Sequence, residues 1–143
     1  MFFGSFLHTL DEKGRLVIPR KMREEAGVKV YILKGFDGAL SIFKASSFET
    51  MCKEIMNLPF NKKDSRTYQR IQLANACELD IDKAGRIQIP AQLLAKYQIG
   101  KEVIVLGVLD HIEVWDRHVY EEYERENENN FEEIAEHISN EGI

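Results

Sequence analysis

A chain of 143 residues, 44% hydrophobic and 30% charged, has enough apolar side chains for one compact domain or two small halves, with no bias toward disorder. No apolar run approaches the roughly 18 residues that span a bilayer, and the start Met1-Phe2-Phe3-Gly4-Ser5-Phe6-Leu7-His8 lacks a signal peptide's basic region and cleavage pattern, so a cytoplasmic protein is expected. Net charge is −5, yet residues 1–72 hold 13 Lys/Arg against 8 Asp/Glu while 73–143 hold 6 against 16, so a local basic surface is not excluded.

The first predicted elements are a strand running into Leu10, a tight turn over Asp11-Glu12-Lys13-Gly14, and a return strand with Leu16 and Ile18 inward and Arg15 outward. His8 alternates with Phe6 and Leu10, which predicts a hydrogen-bonded core histidine. Pro19 fits the first turn of a short helix, and Gly27 the position just past its end. Val28–Leu33 is a strand, turned back by Phe36-Asp37-Gly38 into a strand that ends on a core aromatic, Phe43. Ser46-Ser47-Phe48-Glu49 has the pattern of a capping box, and Phe48, Met51, Cys52 and Ile55 follow at helical spacing until Pro59. Asn61 to Gln72 is polar and basic and fits a second helix, with Lys62-Lys63-Asp64-Ser65-Arg66 as a solvated face.

The pattern then starts again. Cys77, Leu79 and Ile81 alternate with Glu78, Asp80 and Asp82 in a half-buried strand, and past the turn Ile87 and Ile89 point inward while Arg86 and Gln88 share the outer face. Pro90, Gly100, the strand Glu102–Leu106 and the turn Leu109-Asp110-His111 repeat the earlier roles, with Trp115 in the place of Phe43. Val119 to Ile138 reads as one acidic helix with an incomplete apolar stripe. Cys52 and Cys77 stand in no C-x-x-C or metal-like spacing and are expected as reduced core thiols.

Leu10-Asp11-Glu12-Lys13-Gly14-Arg15-Leu16-Val17-Ile18-Pro19 recurs as Ile81-Asp82-Lys83-Ala84-Gly85-Arg86-Ile87-Gln88-Ile89-Pro90, at a constant offset of 71. A duplicated unit follows, and the chain divides into a first repeat (1–54), a helical connector (55–73), a second repeat (74–118) and an acidic C-terminal helix (119–143). The fold class is α+β, mainly β, with flanking helices.

The recurring turn carries the chemistry. Asp11 and Asp82 can accept backbone N–H groups of the turns they open, and Gly14 and Gly85 supply the left-handed backbone a short hairpin loop needs. Arg15 and Arg86 then stand on the solvent face beside Lys13 and Lys83, each offering a guanidinium fork suited to phosphate or guanine. Plain Asp–Arg salt bridges explain the same spacing, so the partner stays open on residue chemistry alone. His111, His118 and His137 lack partners at metal spacing, and no phosphate loop, nucleophile elbow or H-E-x-x-H occurs, so neither metal, cofactor nor catalysis is expected.

Asp-x-x-x-Arg followed by an apolar-x-Ile-Pro run and a short helix, twice along the chain, resembles the MraZ family. The resemblance covers essentially the whole sequence and implies two AbrB-like swapped-hairpin repeats interlaced as a pseudo-two-fold barrel. It implies a bacterial transcriptional regulator, usually a repressor, bound to double-stranded promoter DNA at short direct repeats upstream of cell-division and cell-wall genes, hence nucleoid-associated. It also implies a homo-oligomeric ring that engages several repeats at once. Carried over by position, the DNA-contacting arginines are Arg15 and Arg86, with Asp11 and Asp82 shaping the loops; Lys13, Lys83 and Arg20 join them as adjacent basic residues. The copies differ, since Ala91 stands where the first has Arg20 and Gln92 where it has Lys21. A non-catalytic assembly module and an antitoxin-like interaction module are the rival readings.

Overall fold

The computed structural model describes residues 1–140. Eight strands and six α-helices follow in order: β1 (Phe2–Thr9), β2 (Arg15–Val17), α1 (Arg20–Ala26), β3 (Lys29–Lys34), β4 (Leu40–Lys44), α2 (Ala45–Met56), α3 (Lys63–Ala74), β5 (Cys77–Asp80), β6 (Arg86–Gln88), α4 (Ala91–Lys96), β7 (Glu102–Leu109), β8 (His111–Asp116), α5 (Arg117–Asn127) and α6 (Phe131–Asn140). Each copy thus has the expected strand, turn, strand, helix, hairpin order. The class is α+β. No helix among the described residues is long and apolar enough to cross a membrane.

The strands do not close the barrel that the resemblance implied. Six of them form an open antiparallel sheet in the order β1-β7-β8-β4-β3-β5, and β2 pairs with β6 in a separate ribbon. Closure fails because β1 and β5 end the row, each hydrogen-bonded on one side only. The pairing crosses between copies: β1 lies on β7, β2 on β6, β5 on β3 and β4 on β8. Two backbone bonds lock the turns in the same way, Ile18 N–H to the Gly85 carbonyl (2.8 Å) and Ile89 N–H to the Gly14 carbonyl (3.0 Å).

One face of the sheet, with Val30, Ile32, Leu40, Ile42, Val103, Val105, Ile112 and Val114, shares a buried cluster with Leu16, Ile18, Ile87 and Ile89 of the ribbon and Met22 and Leu93 of the short helices. The period-2 alternation read from the sequence is what creates this layer, since every second residue of each strand must leave water. On the opposite face α2 lies over β3, where the Tyr31 and Phe48 rings stack at 4.2 Å, and α5 lies over β8, where Trp115 meets Tyr120 and Tyr123.

Several local expectations change. Helix α2 begins at Ala45 with no side-chain cap, so Ser46 sits inside its first turn and gives its carbonyl to Thr50. Gly27 takes the left-handed cap position (φ 82°), whereas in the second copy that conformation falls on Gln98 (φ 55°). Gly100 instead donates its N–H to Asp116 (2.8 Å), where a Cβ would crowd the same carboxylate. His8 is half-buried with no hydrogen-bond partner among the described residues, and burial, with Arg23 nearby, lowers its pKa. Cys52 and Cys77 form no disulfide and are partly buried, with Cys77 packed against the core cluster. The acidic segment breaks at a 3-10 turn, Glu128–Asn130, and α6 beyond it is exposed along its described side chains.

Candidate nucleic-acid interface

The ribbon brings the two sequence-distant arginines together. Its register pairs Arg15 with Gln88, Leu16 with Ile87 and Val17 with Arg86. Residues directly opposite share a face, so Arg15, Val17, Arg86 and Gln88 line one side while Leu16 and Ile87, 0% and 1% exposed, anchor the other. Diagonal neighbours in such a ribbon stand about 7–8 Å apart at Cβ. Two turns separated by 71 positions thereby become one surface with two guanidinium groups.

Each arginine is held by its own turn. Asp11 accepts the N–H groups of Lys13 (2.9 Å) and Arg15 (2.8 Å) on Oδ1, and Arg15 Nε on Oδ2 (2.5 Å). Asp82 does the same with Ala84, Arg86 and Arg86 Nε, each at 2.9 Å. Gly14 (φ 75°) and Gly85 (φ 80°) adopt the left-handed backbone that lets the chain turn back within this span. With Nε engaged, the paired Nη groups of each arginine carry no partner among the described residues. That edge can meet two oxygens of a phosphate, or the O6 and N7 of guanine.

The turn hydrogen bonds set the charge of their aspartates. Arg15's backbone N–H, then its side chain, holds the Asp11 carboxyl below the usual carboxylate range, and Arg86 does likewise for Asp82. A carboxyl with a lowered folded pKa supports the fold above its unfolded pKa of about 3.9 and loses that contribution as pH falls through the folded value. In a carboxyl NMR titration both aspartates should therefore protonate below the ordinary aspartate midpoint. Ordinary midpoints would mean that the turn bonds do not persist in solution.

Lys13, Lys83 and Arg20 are all exposed, the lysines within the turns and Arg20 at the start of α1. Sequence reading missed Arg23. Its side chain lies against Gly85, so close that a Cβ there would collide with Arg23 Nε, and its Nε donates to the Ile18 carbonyl (2.9 Å). At the equivalent place in the other copy, Leu94 lies against Gly14. The signal was available, because positions 23 and 94 are related by the same offset of 71 and differ in charge. The second turn thus has a cation of the first copy's helix beside it, whereas the first turn has Ala91 and Leu94 of the second copy's helix. Among the described residues, no group of three His, Cys, Asp or Glu is placed to hold a metal ion.

The duplication and the cross-paired ribbon coincide with a known sequence family. The family described as "MraZ protein, putative antitoxin-like" matches residues 1–71 and again 72–140. A protein named Transcriptional regulator MraZ from Caldanaerobacter subterraneus subsp. tengcongensis is 42% identical over 140 residues, 98% of each chain. Its namesake from Thermoanaerobacter sp. (strain X514) is 44% identical over 138 residues, 96% of each, and that from Pediococcus pentosaceus is 38% identical over the full length of both. With its two matched repeats and its full-length relatives, the chain belongs to the MraZ family.

Proposed function

We propose that this protein is a sequence-specific DNA-binding transcriptional regulator that reads promoter DNA through the β2–β6 ribbon. The carrying observation is the placement of Arg15 and Arg86 on one face of that ribbon, each with its Nη edge free. A two-stranded ribbon fits the major groove, and a fork held by an aspartate loses little freedom on binding. Lys13, Lys83 and Arg20 supply phosphate contacts around it, with Asp11, Gly14, Asp82 and Gly85 setting the loop shapes. In this reading the cross-copy pairing is an intramolecular form of the AbrB-type swapped hairpin, carried by repeats at 1–54 and 74–118.

Net charge of −5 argues against tight binding by one subunit alone. A ring of identical subunits on tandem short repeats answers this, since each added contact forms at high effective concentration. Repression of a cell-division and cell-wall gene cluster, at the nucleoid, follows from the same family reading.

The test is a salt titration on tandem-repeat and scrambled duplexes, with particle mass measured in parallel. Repeat DNA should bind more tightly, with a log–log salt slope of roughly −0.9 for each phosphate contact. Equal affinity for scrambled DNA would favour an assembly module instead.

A further inference from the structure

On the sheet face away from the ribbon, the register places Leu33 beside Ser41 and Ser41 beside Glu113, and Phe43 beside His111. Helices α2 and α3 roof this face incompletely, leaving a cavity of about 300 Å³ that meets grooves of about 440 and 410 Å³ at Tyr68. Ser41 and Gln72 line the cavity, only 6% and 7% exposed, and neither side chain has a hydrogen-bond partner among the described residues. Their polar atoms are not sealed off but open onto the cavity, so a hydrogen-bonding group that enters it meets both of them.

The surrounding charge says what kind of group. Glu54 of α2, Asp110 of the β7–β8 turn and Glu113 of β8 line the cavity, and Asp64 of α3 lines both adjoining grooves. Lys34 and His111 line the same cavity. Lys34 of β3 has its ammonium over the Tyr97 ring at 4.7 Å, and His111 bridges Asp110 (2.8 Å) and Glu113 (3.2 Å). Phe36, Phe43 and Tyr68 supply aromatic faces, of which Phe43 already stacks on His111. Carboxylates interleaved with rings, along a cleft that continues past Tyr68, suit ammonium groups joined by a short alkyl chain.

We propose that this cleft binds a small linear organic cation of the diamine or polyamine class. One ammonium lies by Glu54 and Glu113, where the Ser41 hydroxyl and the Gln72 carbonyl accept its hydrogen bonds; the alkyl chain runs past Tyr68 toward Asp64. The site is separate from the arginine ribbon, and its occupancy does not depend on the DNA reading. Protonated His111 is an internal competitor, because it satisfies Asp110 and Glu113 itself. The Glu113 hydrogen bond and Asp110 raise its pKa against the opposing effect of burial, so cation affinity should increase as pH rises through that raised value.

Trp115 is the one tryptophan, and its indole N–H donates to Glu113 (2.9 Å), so its fluorescence reports on the cleft. The experiment titrates the full chain with spermidine, without DNA and at ionic strength held constant with NaCl, by calorimetry and by Trp115 fluorescence. Saturable one-to-one binding is expected. Glu54→Gln and Tyr68→Ala, both at exposed positions, should each weaken it by about tenfold with folding intact by circular dichroism. Glu132→Gln with Glu136→Gln in α6 should leave it unchanged. Absence of saturation at millimolar spermidine, wild-type affinity in both cleft variants, or loss of binding in the α6 variant would each overturn the site.

Discussion

Arg15→Ala should cut affinity for repeat DNA by roughly ten- to a hundredfold, within the 1–3 kcal/mol typical of a lost bidentate base contact, while leaving the melting temperature nearly unchanged. Stability is spared because the Arg15–Asp11 pair is exposed, and exposed ion pairs contribute little. Arg15→Lys should lose almost as much affinity. A lysine has one nitrogen and cannot both engage Asp11 and present a fork outward. Arg86→Ala should act in the same direction on the same surface. The two sites are close on one ribbon face, so the double variant is expected to deviate from additivity. Fluorescence anisotropy on tandem and scrambled duplexes reads all of this. Wild-type affinity in both alanine variants would remove the ribbon from the DNA interface.

The second large effect lies beneath the same ribbon. Ile87→Ala removes a side chain that is 1% exposed and opposes Leu16, which is fully buried. Truncations of this kind cost about 2–5 kcal/mol, because the cavity left behind closes only in part. For a chain of this size, 3 kcal/mol corresponds to a melting-temperature drop of about 6–12 °C. Ile87→Val should cost only about 0.5–1.5 kcal/mol at the same position. A measured loss for alanine below about 1 kcal/mol would mean that the ribbon is not packed on the sheet as described. These two predictions divide the ribbon by face, one side setting affinity and the other stability.

Much of this ribbon was legible before any coordinates. Alternation alone placed Leu16, Ile18, Ile87 and Ile89 inward and the two arginines outward, because one buried face forces period two on a strand. Likewise, the Asp-x-x-Gly-Arg spacing anticipated the turn hydrogen bonds and the left-handed glycines. Closure of the barrel was not legible, since it depends on which strands end the row rather than on any local pattern. Nor was the capping pattern at Ser46 decisive; it lost to a helix that starts two residues earlier, at Ala45, and rests its Phe48 ring on Tyr31. The break between α5 and α6 was hidden because the polar run Glu126 to Asn130 reads equally well as a solvated helix face. Arg23 was overlooked for a related reason. A half-buried arginine on a short helix looks like solvent-facing charge until the turn it covers, 62 positions later, is folded against it.

The cross-copy pairing also bears on how the protein is made. Strands β1 and β2 leave the ribosome first, but their hydrogen-bonding partners are β7 and β6. At a typical synthesis rate of about 5–20 residues per second, the amino-terminal half waits several seconds with both strands unpaired. A truncated message would therefore yield a sticky fragment rather than half a regulator. Two half-chains synthesised separately should be poorly folded apart and regain structure on mixing. Duplication within one chain turns that encounter into an intramolecular event, so assembly of the β2–β6 ribbon is tied to completion of the polypeptide.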